Sequence, residues 1–293
     1  MKFSFLLLSV ALFFIECRKK DAVTEPVAVS PFEATPIKTS ILPGLMDEAS
    51  GIADCKSMPG NIWVHQDRGN QAQLILLSHT GTIRKRIFIS GAHNRDWEDM
   101  ARASGPVDGR SYIYIAETGD NSSIETTYSI FRFEEPSAST DTVKSFERIV
   151  FKYPDGSHDA EAMFVDNTTK DIFIITKRDA VSRLYKLAYP QQTTGTSTAV
   201  LAGVFTFSGA TGAAASDDGK EILIKTYTSI YYWKKQSSET IETLLAKKPL
   251  VLDYETEPQG EALCFTSDGS AFFTLSERPS FISAVSLNLY KRK

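Results

Sequence analysis

Short runs rich in Ile, Val, Tyr, Phe and Trp recur along this chain, separated by turn pairs such as Pro59-Gly60, Asp155-Gly156, Asp218-Gly219 and Asp268-Gly269. Runs of that length, bounded by Gly, Pro and Asp, read as strands and hairpins, and no stretch sustains the apolar spacing of a helix. The pattern predicts an all-β chain.

The runs also repeat. Five segments share a small or acidic opening, a short apolar strand, a turn and a stronger apolar strand. They are Ala49-Ser50-Gly51-Ile52-Ala53 with Asn61 to His65, Trp97-Glu98-Asp99-Met100-Ala101 with Tyr112 to Glu117, and Ala160-Glu161-Ala162-Met163-Phe164 with Ile172 to Lys177. Ala210-Thr211-Gly212-Ala213-Ala214 with Ile222 to Lys225, and Gly260-Glu261-Ala262-Leu263-Cys264 with Ala271 to Glu277, complete the set. Ser50, Glu98, Glu161, Thr211 and Glu261 lie 48, 63, 50 and 50 residues apart, close to the ~40–50 residues of a four-stranded propeller blade. Two outer strands follow in each unit, for example Gln73 to Ser78 with Arg86 to Ile89. The last unit is one strand short, and Ile37 to Ile41 at the other end of the chain supplies it, hiding two sheet edges. The expectation is one β-propeller over residues 38–293, of five blades with six as the alternative, closed by an N-terminal strand.

The first residues add a destination. Lys2 and then Phe5 to Ile15, interrupted only by Ser9, form a signal-peptide pattern too short to span a bilayer, so residues 1–16 are set apart from the fold. Cys17 directly after this core points to lipidation, although Glu16 stands where such sites have a small residue, and simple secretion or an uncleaved anchor competes with it. Residues 17–37 carry Pro26, Pro31 and Pro36 without periodicity and read as a flexible tether. The expected location is the cell envelope, at the outer membrane or cell surface, with membrane contact through the lipid.

A net charge of −4 and the lack of any basic cluster with interleaved aromatics argue against nucleic acid, and a monomer is expected. Cys55 and Cys264 sit in apolar runs as buried thiols, with pairing as the alternative. His65, His79, His93 and His158 are spread singly, which disfavours zinc, while His65 and His158 fall near positions that a ligand would touch. Trp63 and Trp233 read as core.

In a propeller the innermost strands line one channel, so equivalent positions in each blade converge on one mouth. Those neighbourhoods hold Glu48, Asp96, Glu98, Asp159, Glu161 and Glu261, and the turns after the second strands bring Asp67 with Arg68, Glu117 with Asp120, Lys177 with Arg178, Lys225 with Tyr227, and Glu277 with Arg278. Carboxylates from four blades offer the about six to eight oxygens that Ca²⁺ takes, and Lys177 and Lys225 on adjacent blades offer a seat for a small anion. The candidate cation ligands are Glu48, Asp96, Glu98, Glu117, Asp120, Asp159, Glu161 and Glu261; the candidate ligand contacts are Asp67, Lys177, Arg178, Lys225, Tyr227 and Glu277. Three roles compete for this mouth: binding of a cation and a small anion, metal-dependent phosphoester hydrolysis, and scaffolding of other envelope proteins. Against all three stands a purely structural role, with Glu161–Lys177 and Glu261–Arg278 pairing across strand ends.

The series Ala49-Ser50-Gly51-Ile52, Trp63-Val64-His65-Gln66-Asp67, Asp96-Trp97-Glu98-Asp99, Gly119-Asp120-Asn121, Tyr153-Pro154-Asp155-Gly156 with Asp159-Ala160-Glu161-Ala162, Thr176-Lys177-Arg178, Lys225-Thr226-Tyr227 and Pro258-Gln259-Gly260-Glu261-Ala262 resembles a family of largely uncharacterised secreted bacterial propellers. More distantly it is similar to phytase-like and esterase-like propellers. That second resemblance implies calcium-dependent phosphate-ester hydrolysis and matches no catalytic residue.

Overall fold

Strands of this chain are apolar on both faces: every residue of Gln73–Ser78, Ala160–Val165 and Ala271–Ser276 is buried. A strand of that kind needs cover on each side, and a ring of radially stacked sheets supplies it. The computed structural model describes residues 29–236 and 238–293; the apolar leader, Cys17 and residues 18–28 of the tether lie outside them.

Five antiparallel sheets are arranged as a β-propeller. Blade 1 runs outward through Ala49–Asp54, Asn61–Gln66, Gln73–Ser78 and Ile83–Ile89, and blade 2 through Trp97–Ser104, Ser111–Glu117, Tyr128–Glu134 and Glu147–Lys152. Blade 3 consists of Ala160–Val165, Ile172–Thr176, Arg183–Leu187 and Val200–Val204, and blade 4 of Ala210–Ala215, Glu221–Thr226, Ile230–Lys234 and Leu250–Leu252. Blade 5 begins with Gly260–Phe265, Ala271–Ser276 and Val285–Lys291 and is completed by Ile37–Ile41, which pairs antiparallel with Val285–Lys291 from Ile37 opposite Leu289 to Ile41 opposite Val285. The expected closure therefore forms.

Two short pieces extend the sheets in a way that periodicity did not predict. Thr142–Val143 lies parallel beside Phe88 and Ile89 of blade 1, and Thr196–Thr198 beside Val150 to Lys152 of blade 2. Each comes from the loop of the following blade and ties it to the previous one. The first explains the long spacing between Glu98 and Glu161.

The core is divided among the interfaces between blades. Val64 and Ile75 of blade 1 pack with Phe273 and Leu275 of blade 5, while Trp63 and Leu74 on the other face pack with Trp97 and Phe131 of blade 2. Tyr114 and Ile130 meet Met163 and Ile174, Phe164 and Phe173 meet Ile222 and Trp233, and Leu223 and Tyr232 meet Leu263 and Phe272. Cys55 and Cys264 are buried free thiols in different interfaces.

One boundary needs correction. The segment read as tether up to residue 37 joins the fold from about Pro31: Phe32 is 1% exposed and bridges to Arg292, Glu33 N donates to Lys291 O (2.8 Å), and Lys293 N donates to Pro31 O (2.9 Å). The Phe32 ring meets Phe272 edge-on at 4.9 Å and Tyr232 at 5.9 Å, with the Arg292 guanidinium 4.6 Å over its face. A lone aromatic between prolines has no period to betray it.

Phe32→Ala is expected to lower stability in urea unfolding by about 3–5 kcal/mol, the cost of emptying a large buried aromatic site. Val29→Ala, at a residue 77% exposed, is expected to stay within about 0.5 kcal/mol. Equal stability of the two variants would remove Phe32 from the closure.

Candidate functional site

The site starts from one irregularity repeated in every blade. The inner strand carries an extra residue against the second strand: Ser50 between Ala49 and Gly51, Glu161 between Ala160 and Ala162, Thr211 between Ala210 and Gly212, and Glu261 between Gly260 and Ala262. In blade 2 the same slip lies between Trp97 and Met100, around Glu98 and Asp99. A bulge bends the strand and re-aims a side chain, here at the rim of the channel. Two bulge residues stitch blades together: Ser50 Oγ donates to Glu98 O (2.6 Å) and Thr211 Oγ1 to Gly260 O (3.2 Å). The other bulges present Glu98, Glu161 and Glu261.

These glutamates converge with residues of the neighbouring loops. Oxygens of Asp67, Asp96 and Glu98 lie within 4.8 Å of one another, and so do those of Glu98, Asp159 and Glu161. An ion bound at about 2.4 Å from each oxygen spans such a separation. Glu98 belongs to both groups, is 5% exposed, and makes no hydrogen bond or ion pair through its carboxylate among the described residues. A Cβ at Gly119 would run into Glu98 Oε1 and the Asp96 carboxyl, so only glycine lets the loop come this close. Glu277 faces the same space, with Oε1 buried and without a hydrogen-bond partner.

Burial, followed by the neighbouring Glu161, Asp67, Asp96 and Glu261, raises the Glu98 carboxyl well above its ordinary range. Burial first, and then like charges, push Asp67 up to about 6 and Glu277 up to about 9. Lys177 is the principal cation among them: its Nζ contacts Glu161 Oε2, lies 3.6 Å from Glu261 Oε1 and donates to Tyr227 OH (2.8 Å), which in turn donates to Glu261 Oε1 (2.9 Å). Burial pushes Glu161 up to about 8 against the pull of Lys177, whereas the Lys177 ammonium is raised because Glu161 and Glu261 outweigh its own burial. We take the contact as ammonium on carboxylate, since a neutral Glu161 would leave Lys177 without its main support. Arg68 approaches Asp96 at 3.8 Å and Arg178 reaches Asp159 at 2.7 Å; both are more than half exposed and rim the mouth.

Beneath the mouth the channel is plugged. Asp99 is fully buried, and its carboxylate accepts from Met100 N (2.8 Å), Met163 N (2.8 Å) and Ala213 N (3.0 Å), so one side chain ties the inner strands of blades 2, 3 and 4. Burial raises it to about 8 although those three amides oppose the shift.

Other residues expected at this mouth are engaged elsewhere. Lys225 is wholly buried, donates to Gly260 O (2.6 Å) and pairs with Glu257 at 3.1 Å, so it offers no seat for an anion. Asp120 accepts from Ile124 N, Glu125 N and Tyr128 OH and shapes its own loop. Glu117 turns to Arg95 N (3.2 Å) and Arg148 (3.6 Å), and the exposed Glu48 holds Asn70. The Glu161–Lys177 pair forms as expected, but Arg278 pairs with Asp47 instead of Glu261. His65 is buried edge-on against Trp97, and His158 sits between Asp155, Asp179 and Tyr185. Sequence reasoning missed Glu257, which carries no repeat position, and the plugging role of Asp99.

Fold and mouth together define a five-bladed β-propeller with an acidic channel mouth. No family model matches the chain, and no curated protein does. Among solved structures it is similar to two β-propellers. One is a luciferin-regenerating enzyme, at 11% identity and a TM-score of 0.48 over 87% of this chain and 94% of that one. The other is the β-propeller domain of Cps50 (Swd1) from Myceliophteria thermophila, at 11% identity and a TM-score of 0.45 over 88% of this chain and 100% of that one. Likeness at this level carries no residue roles.

The raised carboxyls set a pH dependence. An acid whose pKa is higher in the folded than in the unfolded chain stabilises the fold below its ordinary pKa and loses that contribution as pH rises through the folded value. With EDTA present, Tm should therefore fall as pH is raised through the values of about 6 and 9 of Asp67 and Glu277. A decrease of about 4 °C or more between about pH 5 and pH 9 is expected by differential scanning calorimetry, corresponding to about 1–2 kcal/mol in a domain of this size. A Tm that climbs over that interval would contradict the assignment of these buried acids.

Proposed function

We propose that the protein is an envelope-anchored β-propeller that binds a divalent cation, Ca²⁺ by the chemistry of its donors, and with it a small anionic ligand at the acidic mouth. The observation that carries this reading is the Glu98 carboxylate, nine-tenths buried, unpartnered and shared by two carboxylate groups. Buried ionised carboxylates without partners are costly, and a cation removes that cost. The donors at these positions are carboxylate oxygens without His or Cys, which suits a hard ion of the Ca²⁺ class over zinc. The anion would be received at the rim by Arg68, more than half exposed, and by Arg178 if it gives up Asp159 and Asn121, as guanidiniums bind carboxylate and phosphate.

Ca²⁺ at about one hundred times its dissociation constant stabilises a folded protein by about 2.7 kcal/mol, so Tm should rise by about 5 °C or more and return to its starting value with EDTA. Glu98→Gln should abolish that response while remaining folded. A wild-type melt indifferent to both Ca²⁺ and EDTA would sink the cation reading.

The anchor rests on Cys17 after the apolar leader, outside the described residues. Cys17→Ala should move the protein from the membrane to the soluble fraction in cell fractionation. Unchanged retention would remove the lipid from the proposal.

A further inference from the structure

The carboxylates of the mouth form two halves that share Glu98, and the halves differ in what stands among them. Asp67, Asp96 and Glu98 make up the first, where the more than half exposed guanidinium of Arg68 comes 3.8 Å from Asp96, as Arg178 at the rim reaches Asp159 of the second. Glu98, Asp159 and Glu161 make up the second, bordered by Glu261, and here the Lys177 ammonium lies against Glu161 and 3.6 Å from Glu261. Its side chain is 10% exposed, its backbone N–H is tied to Asp159 O at 2.9 Å, and Tyr227 caps it at 2.8 Å with the ring face 4.8 Å from Nζ. An ammonium held by two carboxylates, a phenol hydroxyl and a π-face thus stands on the Glu161 side of this half.

We propose that Lys177 is a built-in cation filling one of two ion positions, so that the mouth takes a single divalent ion, in the Asp67–Asp96–Glu98 half. This rests on the cation reading above and adds stoichiometry and position to it. The physical reason is charge. A divalent ion beside Glu161 would have to share that carboxylate with an ammonium in a water-poor site, where like charges repel strongly. Among the described residues the first half has no buried ammonium against its carboxylates. Removing the ammonium would leave Glu161 without its cation and Glu261 with the Tyr227 hydroxyl alone, so that Glu161 beside Glu98 and Asp159 could ligate a second ion.

Ca²⁺ binding to the full folded protein, measured by equilibrium dialysis with circular dichroism as the folding check, tests this. Wild type and Lys177→Arg should bind one ion, and Lys177→Met two. Asp96→Asn should weaken the wild-type site at least about tenfold and clearly more than Glu161→Gln does, because the first removes a ligand and the second a neighbouring charge that acts only through space. The contrast between Asp96→Asn and Glu161→Gln decides the matter even if Lys177→Met does not fold. Two ions in the wild type, one ion in a folded Lys177→Met, or a site lost in Glu161→Gln and kept in Asp96→Asn would each overturn the assignment to Lys177. No ion in the wild type would overturn the cation reading beneath it.

Discussion

Each blade of this propeller buries its two apolar faces against neighbours, and the structure depends on that circular constraint. Phe273 and Leu275 of the last blade meet Val64 and Ile75 of the first in the same kind of cluster that joins Phe164 to Trp233. An open ring would expose two apolar sheet faces and two strand edges. Closure by Ile37–Ile41 and the docked Phe32 is therefore a condition for the other interfaces, and it ties the start of the domain to the last blade. Entropy sets the cost: strands more than 240 residues apart must meet before either is covered.

Circular stacking also decides where chemistry accumulates. Inner strands stand beside one another around the axis, so a bulge repeated at the head of each strand places five side chains on one rim. Hydroxyls at two of these places, Ser50 and Thr211, bind the next blade, and glutamates at the others face one another. Asp99, one residue beyond Glu98, turns inward and holds three blades through their amides. The same bulge in blade 2 thus supplies a strut for the ring and a free carboxylate for the mouth.

Charge at this mouth is arranged against the stability of the bare fold. The Glu98 carboxylate is buried without a donor among the described residues and Glu277 has one oxygen unmet, Gln259 donating to the other, while Lys177 and Tyr227 relieve the side of Glu161 and Glu261. Contrast Lys225 and Glu257, a buried pair 3.1 Å apart in which Lys225 also donates to Gly260 O and Glu257 Oε1 accepts from Thr274 and Asn288. At the mouth several buried carboxylates stand within reach of one another, and perturbed acids gathered in that way are how binding sites commonly stand out from their scaffolds.

Strand identity, the five-fold repeat and the pairing of Ile37–Ile41 with the last blade were legible in the chain, because period, turn residues and repeat spacing are local or periodic signals. By the same logic, equivalent repeat positions placed Glu98, Glu161 and Glu261 on one rim. Which charged residues remain available there was decided by tertiary structure. Lys225 follows the second strand of its blade as Lys177 does, yet it points into the blade 4–5 interface and is consumed by Glu257, a residue with no repeat position. Asp120 and Glu117 share the acidic composition of the mouth, but a loop and two arginines take up their oxygens. Phe32 looked like linker because a single docked aromatic has no periodicity. Sequence determines which positions are equivalent; hydrogen-bond satisfaction depends on groups far apart in the chain and is settled only when the ring closes.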